Sequence, residues 1–447
     1  MSGRSRSGAV LALVLAAAMP SAAVAQESGG LSDLLLRFFS PANPLILSPP
    51  PVAVSHAAHF VSQPSAQATL SQLNRVIAAQ ISTFPLASSA SAFTFEFDPT
   101  LGIFERNTET FGPVFAERAL TAGKGRFSLG VSGFEANYDR FEGQRIREND
   151  VQLYLTHLDI LGDGTTTDLW FEGDIIRADL SIELRNRTSV LVANYGVTDN
   201  FDIGLALPFV DLQVDATILA TIEDLATAPD PITIHSFEGE RTTNTFRESG
   251  SASGLGDVVV RGKFNFKKSD SVNLAAAFDV RLPTGDEEDL LGSGATQAKL
   301  YAIASHDTGR FTPRASLGYT FSGSGSEMIG ELPDELNYSA GFDLGVHPRA
   351  SFAVDFVGRT QLDAERLVEV DRTFLYTHQR DPTIFEAVRQ TPDVDAVPSN
   401  RNIMYLSTGL KVNPFGRILI VGNVLFALND DGLQDTVTPY IGIDYTF

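Results

Sequence analysis

From about residue 124 to residue 447, apolar and polar residues alternate one by one, in runs separated by connections that are short and long in turn. Side chains of an extended strand point to opposite faces with a period of two, so each run reads as a strand with one apolar and one polar face. The last run is the clearest: Val437, Pro439, Ile441, Ile443, Tyr445 and Phe447 alternate with Thr438, Tyr440, Gly442, Asp444 and Thr446. Leu336, Tyr338, Ala340, Phe342, Leu344 and Val346 alternate in the same way with Glu335, Asn337, Ser339, Gly341, Asp343 and Gly345. Val258, Val260, Phe264 and Phe266 stand opposite Asp257, Arg261, Lys263, Asn265 and Lys267. Leu180, Ile182, Leu184, Val190 and Val192 stand opposite Asp179, Glu183, Arg185 and Arg187.

The runs number about twelve, near 124–141, 172–195, 201–220, 255–267, 271–283, 295–306, 310–322, 334–347, 350–361, 401–413, 417–429 and 434–447. Every second connection is short (196–200, 268–270, 307–309, 348–349, 414–416), and the others are mostly long, notably 142–171, 221–254 and 362–400. An even number of strands with short turns at one end and long loops at the other is the pattern of an antiparallel transmembrane β-barrel. A soluble sandwich also alternates, but here charges fall in the middle of strands, where a wet or salt-bridged lumen would hold them. The apolar runs are about 9–11 residues long, enough to cross a bilayer at a tilt. Phe264, Phe266, Phe311, Tyr319, Phe321, Tyr445 and Phe447 gather near strand ends, as interfacial aromatic girdles do. The expected fold class is all-β, a barrel over 123–447.

The N-terminus agrees with export. Arg4 and Arg6 precede an uncharged apolar run over 8–19, and Ala23-Val24-Ala25 stands before Gln26, the layout of a secretory signal peptide over 1–25. No later stretch reaches the roughly 18 uncharged apolar residues of a helical span, so only a barrel could cross a membrane, and the expected location is the bacterial outer membrane. The chain has no cysteine, which removes disulfides, thiol catalysis, zinc–thiolate sites and iron–sulfur clusters together. Its net charge of −22 opposes nucleic-acid binding.

Residues 26–122 read differently. The stretch 41–51 is proline-rich and suits a linker. Leu70, Leu73, Ile77 and Ile81 share one face of a helix expected over 65–82. Phe93, Phe95 and Phe97 alternate before a turn over 98–102, and Ile103 and Phe104 resume a hairpin. This mixed helical and hairpin segment reads either as a plug in the lumen or as a periplasmic segment. Partial plugging puts Phe93, Phe95, Phe97, Phe111, Glu117 and Arg118 near the lumen with the helix outside it.

Four stretches carry a resemblance: Phe111-Gly112-Pro113-Val114-Phe115-Ala116-Glu117-Arg118-Ala119, Ser253-Gly254-Leu255-Gly256-Asp257-Val258, Arg281-Leu282-Pro283-Thr284-Gly285-Asp286 and Leu332-Pro333-Asp334-Glu335. With them the chain resembles the outer-membrane proteins labelled MetA-pathway of phenol degradation, over about residues 90–447. More distantly it resembles the outer-membrane long-chain fatty-acid transporter, a barrel with an N-terminal plug. The resemblance implies a barrel that passes small molecules, aromatic ones among them. Separately, Ile443, Tyr445 and Phe447, alternating to the chain end, resemble the terminal strand that barrel-assembly machinery recognises.

By alternation the lumen would hold Arg185, Arg187, Arg261, Lys263, Arg281, Lys299, Arg314, Arg359 and Lys411 with Asp179, Glu183, Asp257, Asp279, Glu335, Asp343, Asp355 and Asp444. Such a set either forms an eyelet whose mixed field filters solutes or a salt-bridge network that fills and stiffens the barrel. Asp286-Glu287-Glu288-Asp289 lacks the spacing of a calcium loop and reads as solvated charge. Hydrolysis would need a Ser activated by His. Of the seven histidines, His56 and His59 lie in the N-terminal segment, His306 and His347 at short turns, and His157, His235 and His378 in long loops. No enzyme, cofactor or metal is expected. The expected partners are outer-membrane lipid and lipopolysaccharide, barrel-assembly machinery and a small-molecule solute. The expected function is passive passage of small, aromatic or apolar compounds. A structural or adhesive barrel acting through its long acidic loops is the alternative, and an outer-membrane hydrolase a minor one.

Overall fold

A computed structural model describes residues 30–38, 60–62, 64–88, 95–98, 103–106, 109–148, 151–157, 173–223, 235–269, 272–325, 330–376 and 387–447. The signal sequence read at 1–25 lies outside the described residues. Twelve strands form the ring: β1 (Phe127–Tyr138), β2 (Ile175–Gly196), β3 (Phe201–Glu223), β4 (Val258–Lys267), β5 (Val272–Leu282), β6 (Gln297–His306), β7 (Phe311–Ser322), β8 (Glu335–His347), β9 (Ala350–Tyr376), β10 (Ala387–Val412), β11 (Ile418–Ala427) and β12 (Val437–Thr446). Each pairs antiparallel with its sequence neighbours in the ring, and β12 closes on β1 with Tyr440 opposite Phe134 and Thr446 opposite Ser128. The count and order agree with the sequence reading, and closure leaves the spanning sheet without an edge, the condition lipid imposes.

Alternation becomes geometry through this ring. On β3, Ile203, Leu205, Leu207 and Phe209 point outward while Asp202, Gly204, Ala206 and Pro208 point inward. Ile441 and Leu317, 66% and 58% exposed on the outer surface, belong to the same apolar band. The band ends sharply. After Phe209 the outward residues of β3 become Asp211, Gln213, Asp215 and Thr217, and after Gly133 those of β1 become Glu135 and Asn137. The inward face changes in the opposite sense: Val210, Leu212, Val214, Ala216 and Ile218 of β3, with Leu180, Ile182 and Leu184 of β2, are buried. Here the sheet has left the bilayer, so its outer face meets water and its inner face covers protein.

This change of sense corrects one sequence expectation. Arg185 and Arg187 are on the outer face of β2, each at least half exposed, and not in the lumen; Glu183 is exposed beside them. The alternation holds on this stretch, but its apolar face seals protein rather than facing lipid. Arg187 donates to Glu135 at 2.9 Å, a contact that holds the Glu135 carboxyl below the usual carboxylate value. Asp179, on the same strand, is buried beside Arg177 at 3.2 Å.

What the flared sheet covers is the N-terminal region. The upper half of β2 pairs with a strand at Val151–His157, and the upper half of β3 with one at Thr243–Leu255. β9 and β10 likewise continue as a pair beyond the band, to Tyr376 opposite Ala387. Between these walls sit a helical turn at Leu31–Asp33, the short helix α1 (Leu34–Arg37) and the helix α2 (Pro64–Ser82). α2 opens on proline, which suits a first helical turn, and stops before Phe84-Pro85, since a residue preceding proline avoids the helical region. Leu70, Leu73, Ile77 and Ile81 are buried as their spacing requires. Gln72 donates to the Glu365 carbonyl at 2.5 Å and Gln80 to that of Leu433 at 3.1 Å, which sets α2 at the long-loop mouth.

Leu317 on the outer face near mid-strand and Thr217 on the flare separate lipid from water. Leu317→Arg is expected to cost about 2–4 kcal/mol, and Thr217→Arg under about 0.5 kcal/mol. The check is the urea concentration at which refolded protein loses the fast mobility that unheated barrels show in SDS gels.

Candidate functional site in the lumen

Two passes of the N-terminal segment occupy the barrel. Residues 83–88 descend from α2, and residues 109–122 cross the short-turn end as a floor; they meet where Ser88 N donates to the Val114 carbonyl at 2.9 Å. The floor has no strand partner along its length, so its backbone groups are met by side chains of the wall. Phe111 N donates to Ser351 Oγ at 3.1 Å, and Val114 N and Phe115 N both donate to Asp355 Oδ2 at 3.1 Å. Lys411 donates to the Pro113 carbonyl. Further along, Lys263 reaches the Arg118 carbonyl at 3.3 Å, Asn265 that of Ala119 at 2.9 Å, and Ala122 N donates to Asp202 at 2.9 Å. At its exit the segment passes so close to Gly196 that a Cβ there would lie 1.9 Å from the Gly123 carbonyl oxygen, so only glycine fits.

Charges bind floor to wall as well. Glu117 lies 2.7 Å from Arg261 and 3.7 Å from Lys263. Arg314 is buried between Asp343 and Asp355, with 2.6 Å to the latter, and Asp355 is the same carboxylate that holds the floor. Each ion in this layer therefore has a charged or hydrogen-bonding counterpart, the condition for keeping a buried charge.

Above the floor is a cavity of about 140 Å³ between residues 83–86 and the wall of β4–β10. Its polar side carries Arg261, Asp279, Arg281, Lys299, Glu335 and Arg359; its apolar side carries Phe84, Leu86, Phe115, Val259, Ile403 and Tyr405. Asp279 takes Arg261 at 2.8 Å, Lys299 at 3.2 Å and the Tyr301 hydroxyl at 3.2 Å. Gly318 makes room for that tyrosine, since a Cβ on it would fall 2.4 Å from Tyr301 Cβ. A second cavity of about 360 Å³ lies nearer the mouth, between α2 and residues 331–333 and 361–365. A chain of contacts runs from one to the other: Arg401 to Gln361 at 3.1 Å, Gln361 to Glu335 at 3.1 Å, Glu335 to Arg359 at 3.5 Å and Arg359 to the Thr83 carbonyl at 3.0 Å.

Of the residues singled out from sequence, Arg261, Asp279, Arg281, Lys299 and Arg359 come together at the inner cavity. Lys263, Arg314, Asp343 and Lys411 belong to the floor contacts, and Asp444 faces inward on β12 beside Gly130. Phe111, Glu117 and Arg118 are buried in the floor. Phe95–Asp98 pairs with Ile103–Arg106 as a hairpin, and Phe93 lies outside the described residues. Ile443, Tyr445 and Phe447 alternate on the outer side of the closing strand. Reading the barrel alone missed Phe84 and Leu86, whose one signal is the Phe84-Pro85-Leu86 stop after α2. His235 pairs with Asp174 at 2.7 Å in the flare, with the His157 ring 5.1 Å away, well apart from the cavity residues.

Residues 177–381 match a known family. Its description is "Putative MetA-pathway of phenol degradation". The match covers a little under half of the chain and takes in three of the four stretches that carried the resemblance; Phe111–Ala119 precedes it. No curated protein matches. Among solved structures, the COG4313 outer membrane channel from Pseudomonas putida F1 is similar at 11% identity and TM-score 0.44, over 74% of this chain and 98% of that one. A FadL homologue from Pseudomonas aeruginosa is similar at 10% identity and TM-score 0.28, over 72% and 89%. The toluene transporter TbuX of Ralstonia pickettii is similar at 10% identity and TM-score 0.25, also over 72% and 89%.

Asp355 serves Arg314 and two floor amides at once. Asp355→Ala is expected to lower unfolding free energy by about 2–4 kcal/mol, because two buried floor amides lose their acceptor while Arg314 keeps only Asp343. Ser351→Ala, which removes one acceptor, should cost about 1 kcal/mol. Equal urea midpoints for the two variants would show that Asp355 does not hold the floor.

Proposed function

We propose that the protein is an outer-membrane channel for passive passage of small molecules, aromatic or apolar compounds among them. Residues 83–88 and 109–122 of the N-terminal segment act as its plug. The observation that carries this reading is the pair of cavities in series, which lead from the long-loop mouth to a floor held by side-chain contacts. A floor held in this way can shift without breaking the sheet that spans the membrane. The mixed lining supports solutes with an apolar body and a polar group, since such pockets combine apolar walls with a few placed polar groups. The description of the matched family supports aromatic solutes.

The same reading assigns the outside of the barrel. The apolar band contacts outer-membrane lipid, the long-loop rim contacts lipopolysaccharide, and the outward Ile443, Tyr445 and Phe447 serve recognition by the assembly machinery.

Planar-bilayer recording of the folded protein tests the channel. Small, brief conductance steps are expected from the native chain. Glu117→Ala, which removes the floor's ion pairs with Arg261 and Lys263, is expected to raise the open fraction severalfold. Silence from both proteins, with the folded gel mobility retained, would refute a channel.

A further inference from the structure

Four cations line the inner cavity, Arg261, Arg281, Lys299 and Arg359, against three carboxylates, Glu117, Asp279 and Glu335. Every carboxylate is already engaged. Glu117 holds Arg261 and Lys263, Asp279 holds Arg261 and Lys299, and Glu335 holds Arg359 and Gln361. Asp257, near the end of the same wall, accepts Gly285 N at 3.1 Å, Ser293 N at 2.8 Å and Ser293 Oγ at 2.6 Å. Arg281 is the cation left over: it makes no ion pair among the described residues, and its Nη1, shielded from solvent, has no hydrogen-bond partner in the protein. A guanidinium presents a planar fork matched to a carboxylate, and a buried donor such as this Nη1 is costly without an acceptor.

The rest of the cavity defines the body of the missing partner. Phe84, Phe115 and Tyr405 face this space from the segment and the wall, and aromatic rings favour offset or edge-on contact with another ring. Its volume of about 140 Å³ is close to the roughly 150 Å³ of an apolar protein cavity that accommodates benzene. That admits one ring and leaves no room for a second. With the Asp257 and Glu335 carboxylates near it but not in contact, Arg281 favours a singly charged anion over a phosphate dianion.

We infer that the inner cavity is a binding site for a single-ring aromatic carboxylate, whose carboxylate pairs with Arg281 and whose ring lies against Phe84, Phe115 and Tyr405. The inference rests on the channel reading for its purpose, as a station on the route, but binding is measured without transport. Detergent-solubilised full-length protein, shown folded by its gel mobility, is titrated calorimetrically with sodium benzoate, sodium acetate and benzyl alcohol. Benzoate is expected to bind at least tenfold more tightly than acetate, which lacks the ring, and than benzyl alcohol, which lacks the charge. Arg281→Gln should weaken benzoate at least tenfold, Arg281→Lys should retain part of the affinity, and Arg185→Gln on the outer face should leave it unchanged. Native benzoate affinity in folded Arg281→Gln, equal affinity for acetate or benzyl alcohol, or no benzoate binding at all would each overturn the site. Benzoate binding in a protein that never conducts would keep the site and sink the channel; conductance without benzoate binding would do the reverse.

Discussion

Hydrocarbon offers the peptide group nothing to bond with, so a chain that crosses a membrane in strands must let the strands satisfy one another all the way round. In this protein the pairing of β12 with β1 completes that circuit, and the rest of the structure is arranged about it. The spanning portion is a ring because an open edge cannot face lipid. Only beyond the apolar band, where water is available, does the sheet splay into separate flaps with strands paired on one side alone, such as Thr243–Leu255.

A closed ring also creates an inside, and the inward residues then need partners of their own. Polar wall groups and an irregular backbone segment solve each other's problem here. The floor at 109–122 has amides and carbonyls but no strand beside it, while the wall turns Asp355, Lys263, Lys411 and Asp202 toward it. Each supplies what the other lacks. Arg314 shows how closely the two are joined, since its counter-ion Asp355 is also the acceptor for two floor amides.

The strands, their number and the alternation of turn lengths were legible because period-two patterning and chain reversal are local properties of sequence. The burial of Leu70, Leu73, Ile77 and Ile81 was legible for the same reason. Which face of a strand looks inward is not local, and β2 shows why. Leu191 and Ala193 face outward in the band, while Leu180, Ile182 and Leu184, of opposite parity, face inward above it. Both stretches are apolar on alternate positions, and only the height of the membrane boundary tells them apart. Alternation alone therefore puts Arg185 and Arg187 on the lumen face. The inward charges of β4 to β10 follow from alternation because they sit on stretches within the band. Phe84 and Leu86 were not, because nothing in a post-helix Phe-Pro-Leu says which cavity it will line.

The path of the chain carries a constraint on assembly. Residues 109–124 lead straight from the interior into β1, one side of the seam, while the other side is β12 at the far end of the sequence. With α2 at the opposite mouth, the polypeptide passes through the ring it later forms. Threading a finished ring would mean drawing the helical portion, with its apolar face, through a lumen lined by charged and polar side chains. The order of events is therefore set by topology. The N-terminal portion takes its place while the seam is open, and the pairing of the first barrel strand with the last encloses it.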